Sequence, residues 1–190
     1  MTEKETYNLE DGNHLINQIV YHEAGHAVVS ELLCPDSVNF VYVFDGDSEG
    51  GLTDYYNDGS KMPLYWAKSR ILSALAGAAA VEQKYGVADM GCRDDLDTAF
   101  NCVWNLIAGK SIQGFQLHGC KDTDSEHLSF EQEQAVSNEV ERYYRQAKEI
   151  LSLNKDFYES VAVNLAKKKL LTAKDIQNIK QSCTIVPAYI

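Results

Sequence analysis

Residues 21–28 read YHEAGHAV, a segment that contains the pattern H-E-x-x-H. Apolar residues recur at helical spacing on both sides of the pattern, which predicts a helix over residues 13–33. Pro35 is expected to end that helix, because proline cannot continue the hydrogen-bond ladder. Residues four apart lie on one face of a helix, so His22 and His26 can reach the same ion.

The glutamate of the pattern indicates hydrolytic chemistry. Glu23 lies beside the two histidines, where it can reach water held by the same metal. Zinc with three protein ligands keeps an open position and lowers the pKa of water held there to roughly 7. A general base then takes the proton and passes it to the leaving amine. The pattern predicts a zinc-dependent endopeptidase with catalytic Glu23 and with His22 and His26 as metal ligands.

A pattern with only three fixed residues also occurs by chance in unrelated helices. However, the rest of this helix is built largely of isoleucine, valine and alanine, and three polar side chains there are costly to bury without a partner. A metal ion supplies that partner. Gly25 adds a second clue, since glycine inside a helix costs about 1 kcal/mol relative to alanine. It predicts the close approach of another backbone.

Two histidines do not complete a catalytic zinc site. The other candidate donors are the carboxylates, the five cysteines and three further histidines, which are His14, His118 and His127. Position and spacing do not choose among them. The cysteines show no C-x-x-C spacing, so reduced thiols in a cytosolic protein are expected rather than a zinc knuckle.

Several segments together resemble the FtsH-type peptidases, which are membrane-bound ATP-dependent metalloproteases. HEAGHAVV at residues 22–29 is similar to their zinc motif, and GLT at 51–53 is similar to their G-Y-T. LAGAAAVEQKYG at 75–86 resembles L-G-G-R-A-A-E-E-x-x-x-G, and GCRDDLDTA at 91–99 resembles G-A-S-N-D-L-x-x-A. The segment 142–176 resembles the C-terminal helices of the family. The matches follow one another in the same order along the chain.

The resemblance implies a third zinc ligand, the aspartate of the G-A-S-N-D-L motif, which falls on Asp95. A carboxylate in the first turn of a helix needs no metal, so a helix-terminal role for Asp95 remains the alternative. Asp94 and Asp97 compete for that role, and Asp94 is the better placed cap. Glu82 matches a family glutamate and is expected either to orient a ligand histidine or to form a surface salt bridge.

The sequence also departs from the family. Ala78 and Val81 replace a family arginine and glutamate, and Arg93-Asp94 replaces serine-asparagine. The family's membrane segments and ATPase domain are not found in the sequence. Without an unfoldase, cleavage is expected to be limited to unstructured peptides or unfolded protein segments, or to rely on a separate ATPase. The family's rings of six make a homo-oligomer one expectation, with a monomer as the other.

The net charge and the hydropathy of the chain limit the kinds of partner that it is expected to bind. The formal net charge is −11, and an acidic domain repels phosphate backbones, so nucleic acid is not expected to bind. No stretch approaches the ~20 apolar residues that span a bilayer. The N-terminus carries no apolar segment of the kind found in signal peptides. These observations predict a cytoplasmic protein without a membrane span.

The expected fold class is mainly α (α+β), a helical zincin-like metallopeptidase domain with a small β-hairpin and a C-terminal helical bundle. One domain is expected over residues 13–183, after a flexible lead at 1–12 and before a tail at 184–190. The residues expected to begin or end the later elements are Pro63, Gly86, Ser129, Asn154 and Thr172. The strand at residues 38–44 is expected to offer a free edge to an extended peptide.

Two other functions stay open at this point. The chain is either a broad endopeptidase, a dedicated regulatory protease that cuts one target, or a non-enzymatic relative that binds zinc or a partner. All catalytic donors are present, so the motif favours an enzyme.

Overall fold

The computed structural model describes residues 14–45, 49–55, 64–87, 89, 91–109 and 128–190. These ranges contain six helices and a small sheet, so the expected mainly α fold class is confirmed. In chain order the elements are α1 (His14–Leu33), β1 (Val38–Phe44), β2 (Gly50–Tyr55), α2 (Leu64–Tyr85), α3 (Arg93–Ala108), α4 (Phe130–Leu153), α5 (Lys155–Lys168), β3 (Leu170–Thr172) and α6 (Ala173–Gln181).

The sheet is antiparallel, with strand order β2-β1-β3. Val41 of β1 lies opposite Thr53 on one side and opposite Leu171 on the other. The prediction that β1 offers a free edge is therefore wrong, because β3 covers that edge. β3 was not predicted, since a strand of three residues carries too little periodicity to be seen in the sequence.

The core is centred on the contact between α1 and α2. A Cβ added at Gly25 would lie 2.7 Å from Ala80 Cβ and against the carbonyl oxygen of Ala76. Ala76, Ala79 and Ala80 are completely buried, so the alanine-rich middle of α2 lets the two helices approach closely. The close approach predicted from Gly25 is confirmed.

Several helix ends follow the local sequence signals. Gly86 adopts a left-handed φ of 69° just after α2, a conformation that glycine takes without steric cost. Ser129 and Thr172 each form a complete capping box, with Gln132 and Asp175 respectively.

One predicted cap is wrong, and a second holds the predicted position without a side-chain cap hydrogen bond. The residue that precedes α3 is Cys92, so Asp94 lies inside the helix and does not cap it. Asn154 stands at the start of α5, but its side chain makes no cap hydrogen bond there. Instead, its amide donates to the carbonyl oxygens of Ile150 and Val186 and accepts from the Val186 N–H at 2.9 Å.

The last residues of the chain lie against the helical body. Asn154 holds Val186, Gln146 donates to the carbonyl oxygen of Tyr189 at 3.0 Å, and Ile185 and Ile190 pack on the core. The predicted lead at residues 1–12 falls outside the described residues, so the domain boundaries remain predictions. Within the described ranges, no helix has the length and apolar character needed to cross a bilayer.

The residue after α5 yields a stability prediction. Lys169 has a φ of 62°, a left-handed conformation that costs a side-chain-bearing residue about 1 kcal/mol, and its amine pairs with Asp45. We expect Lys169→Gly to be about 1 kcal/mol more stable than Lys169→Ala, because both variants lose the ion pair but only glycine relieves the backbone cost. Urea unfolding measures the difference. Equal stability of the two variants would contradict the strain argument.

Candidate metal centre

The two histidines of α1 point toward a place on α2 that has no side chain. A Cβ added at Gly77 would lie 2.6 Å from His22 Cε1 and 2.6 Å from His26 Nε2. Glycine at this position therefore makes room for both imidazole rings between two tightly packed helices. His26 is buried, and His22 is slightly more exposed.

Asp95 completes a group of three converging donor atoms. His22 Nε2 and His26 Nε2 are 2.8 Å apart. Asp95 Oδ2 lies 3.1 Å from the first nitrogen and 3.2 Å from the second. The structure thus brings together the three residues that the sequence and the family resemblance selected, within a spacing that one metal ion can bridge. Among the rival donors, His118 and His127 lie outside the described residues.

The other nitrogen of each ring is already engaged. His26 Nδ1 lies 2.6 Å from the carbonyl oxygen of Ser73, and His22 Nδ1 is bonded to Asp89 Oδ2. A carbonyl oxygen and a carboxylate only accept hydrogen bonds, so each Nδ1 carries a hydrogen and donates it. In the neutral rings, both Nε2 atoms therefore present lone pairs to Asp95.

This donor set fits a divalent metal. Two nitrogen lone pairs and a carboxylate oxygen repel one another at these distances unless a cation lies between them. Imidazole nitrogen and carboxylate oxygen are ligands that zinc accepts, and three protein ligands are typical of a catalytic site.

In the absence of metal, the two neighbouring carboxylates favour the protonated form of His22. Burial lowers the pKa of His22, but hydrogen bonds with Asp89 and Asp95 more than offset this and raise the pKa to about 10. Burial raises the pKa of Asp95, but hydrogen bonds with the two histidines outweigh it and hold that pKa well below its usual range.

Glu23 is held beside the histidines by β2. Its side chain is buried, and Thr53 Oγ1 donates to Glu23 Oε2 at 2.7 Å. A Cβ added at Gly51 would lie 2.5 Å from Glu23 Cγ, so β2 packs its backbone directly on this carboxylate. In the sequence, only the resemblance of residues 51–53 to the family's G-Y-T draws attention to this segment. That resemblance assigns no role to Gly51 or Thr53.

The carboxylate that accepts from His22 Nδ1 belongs to Asp89, a residue that the sequence analysis did not select. The interpretation of Glu82 as the partner of a ligand histidine is wrong, because Glu82 accepts from Tyr144 at 2.5 Å and from Lys148 at 2.9 Å. Its alternative role, a salt bridge, is the one observed. Asp89 lies in the loop between α2 and α3, where no periodic pattern indicates which side chain turns inward.

Comparison with known proteins gives a consistent result. The model of peptidase family M41 matches residues 13–179. The ATP-dependent zinc metalloprotease FtsH 2 of Symbiobacterium thermophilum is 29% identical over 174 residues, which cover 85% of this chain and 30% of the relative. The ATP-dependent zinc metalloprotease FtsH of Bacillus subtilis is 27% identical over 188 residues, covering 86% and 29%. This chain thus spans about three-tenths of the length of these curated relatives.

The convergence of donors yields a metal-binding prediction. We expect the protein to bind one zinc ion, and Asp95→Ala to weaken binding by more than the roughly 10–100-fold lost with a residue that only orients a ligand. Asp94→Ala is the matched control, because it removes the same charge one position away from an exposed side chain. Competition with a fluorescent chelator measures both affinities. Equal weakening in the two variants would indicate a general charge effect instead of a ligand.

Proposed function

This chain belongs to peptidase family M41, and from that premise we propose that it is a zinc-dependent endopeptidase acting on unstructured peptides or protein segments. One observation carries the proposal. The side chains of His22, His26 and Asp95 converge within reach of one ion. The carboxylate of Glu23, held by Thr53, is close enough to act electrostatically on His22.

In this proposal, three residues bind the metal ion and a fourth transfers protons. His22, His26 and Asp95 hold the zinc ion, with Nδ1 of both rings tied to acceptors so that Nε2 stays available. When bound, zinc supplies Lewis acidity that lowers the pKa of water and polarises a peptide carbonyl. The imidazoles and their partners keep the donor atoms in place.

Glu23 is the group that moves protons. Thr53 donates to Oε2 and Gly51 lies beside Oε1, so the carboxylate is held in place while lone pairs remain for proton transfer. Glu23 accepts the proton from the attacking water and delivers it to the amine that leaves when the peptide bond breaks. Burial of the carboxylate against Gly51 keeps it at one orientation during both transfers.

The edge strand β2 is the element that we propose to hold the substrate. Within the described sheet, β2 pairs with β1 on one side only, and Thr53 and Gly51 of β2 touch Glu23. An extended peptide can add to such an edge through main-chain hydrogen bonds, which recognise the backbone more than the side chains. That mode of binding suits unfolded segments of many sequences.

Both relatives are named as ATP-dependent proteases, and each is about three times as long as this chain. We propose that folded substrates require an ATPase acting together with this chain. Unstructured substrates require none, because an extended strand can reach β2 without prior unfolding.

The role of Glu23 can be tested directly. We expect Glu23→Gln to lower hydrolysis of casein by about 10²–10⁴-fold, the usual contribution of a general base, while bound zinc is retained. Glu82→Gln serves as the matched control, because it removes a carboxylate from the pair with Lys148 and leaves the site untouched. Initial rates and metal content are measured on the same samples. Equal rates of hydrolysis in wild type and Glu23→Gln would contradict the role of Glu23 as general base. That result would favour a non-enzymatic protein that binds zinc.

Backbone pairing on β2 gives a second test. In a fluorogenic peptide cleaved by the protein, methylation of alternate backbone nitrogens should raise KM by up to about tenfold, since each lost hydrogen bond costs about 0.5–1.5 kcal/mol. Methylation at the nitrogens between them should leave KM unchanged, because those groups point away from a paired strand. A KM that is insensitive to the position of the methyl group would rule out strand addition.

A further inference from the structure

Asp89 is fixed by three contacts at once. Its carboxylate is one-tenth exposed, with Oδ2 against His22 Nδ1 and Oδ1 accepting from the Gly91 N–H at 2.8 Å. Its carbonyl oxygen accepts from the Cys92 thiol at 3.0 Å. The side chain therefore has little freedom to turn away from the histidine.

A carboxylate is the side-chain group that these contacts require. The N–H of Gly91 and the Nδ1–H of His22 are both donors, so both atoms that face them must be acceptors. Asparagine has the same size but offers a single acceptor oxygen, and its NH₂ group would meet one of the two donors. The site thus selects aspartate over its closest neutral analogue.

The two ligand histidines are held in different ways. His26 Nδ1 bonds to a main-chain oxygen of α2, a neutral partner that belongs to the core. His22 is the more exposed of the two rings, and its partner is a charged side chain in a loop. A hydrogen bond to an ionised acceptor is roughly twice as strong as one between neutral groups, and it makes the imidazole a more basic ligand.

Asp89 and Asp95 each contact one of the two nitrogens of His22. Asp89 engages Nδ1, and Asp95 lies 3.1 Å from Nε2 at the other side of the ring. Both carboxylates come from the same short stretch of chain, which leads into the first turn of α3. Movement of this stretch would therefore disturb the orientation of His22 and the position of Asp95 together.

We propose that Asp89 is a positioning residue for the metal centre, which fixes His22 in the Nδ1–H form and keeps its Nε2 lone pair aimed at the ion. This inference rests on the proposed function, since it takes His22 as a zinc ligand. Its effect appears in zinc affinity and in the state of the His22 ring, before any substrate is added.

The experiment compares zinc affinity at one pH in wild type, Asp89→Ala, Asp89→Asn and Asp94→Asn. We expect Asp89→Ala to weaken binding about 10–100-fold and Asp89→Asn to weaken it by a smaller factor. Asp94→Asn removes one negative charge from the same segment without a contact to His22, and it should bind as wild type does. Asparagine keeps the size of the side chain, so Asp89→Asn carries the test if the alanine variant does not fold.

A spectroscopic readout separates positioning from general damage. In zinc-loaded protein with ¹⁵N-labelled histidine, the Nδ1–H proton of His22 should be protected from solvent exchange in wild type and in Asp94→Asn. The same proton should exchange rapidly in Asp89→Ala, while that of His26 stays protected in every variant.

The outcomes distinguish this inference from the proposed function. If wild type binds zinc but both Asp89 variants bind it equally well and keep the His22 proton, the positioning role is overturned and the peptidase proposal stands. If wild type binds no zinc, or if His26→Ala binds as tightly as wild type, the proposed metal centre itself fails.

Discussion

The close packing of α1 on α2 is the constraint on which the rest of this structure depends. Each helix carries a glycine where the other needs space, Gly25 facing the backbone of α2 and Gly77 facing the two histidine rings. A side chain at either position would push the helices apart, since buried atoms in a close-packed core have no free volume to move into. The histidines can lie between two helices only because this contact omits two side chains.

Around that contact, each functional group is held by a different element. Strand β2 fixes Glu23 through Thr53, α2 fixes His26 through a carbonyl oxygen, and the stretch before α3 fixes His22 through Asp89. The candidate ligand atoms are therefore already oriented in the absence of an ion, which reduces the ordering that metal binding would require. This arrangement explains how these three polar side chains can lie in the packed region around α1.

The far end of α1 is secured by a second buried charge. Glu31 is almost fully buried, and it accepts from Lys180 and Gln177 of α6, each at 2.8 Å. The contact between Glu31 and Gln177 joins residues 146 positions apart, so it ties the last helix of the chain to the first. Removing one partner from a buried pair leaves an uncompensated charge, so this contact specifies where α6 lies. The helix that carries the two histidines is thereby held both at its middle and near its C-terminal end.

The sequence by itself determined those features whose causes lie within a few residues. Helical periodicity placed His22, Glu23 and His26 on one turn, proline ended the helix, and the capping boxes at Ser129 and Thr172 began two others. Asp95 was reached through family resemblance, since spacing alone left the third donor open.

Tertiary structure decided the features that depend on contacts between distant residues. β3 exists because β1 offers it a partner, Asp89 rather than Glu82 meets His22, and Asn154 binds the C-terminal segment instead of capping its own helix. Local patterns could not give these results, because the energy of each contact depends on a partner that only the folded chain brings near.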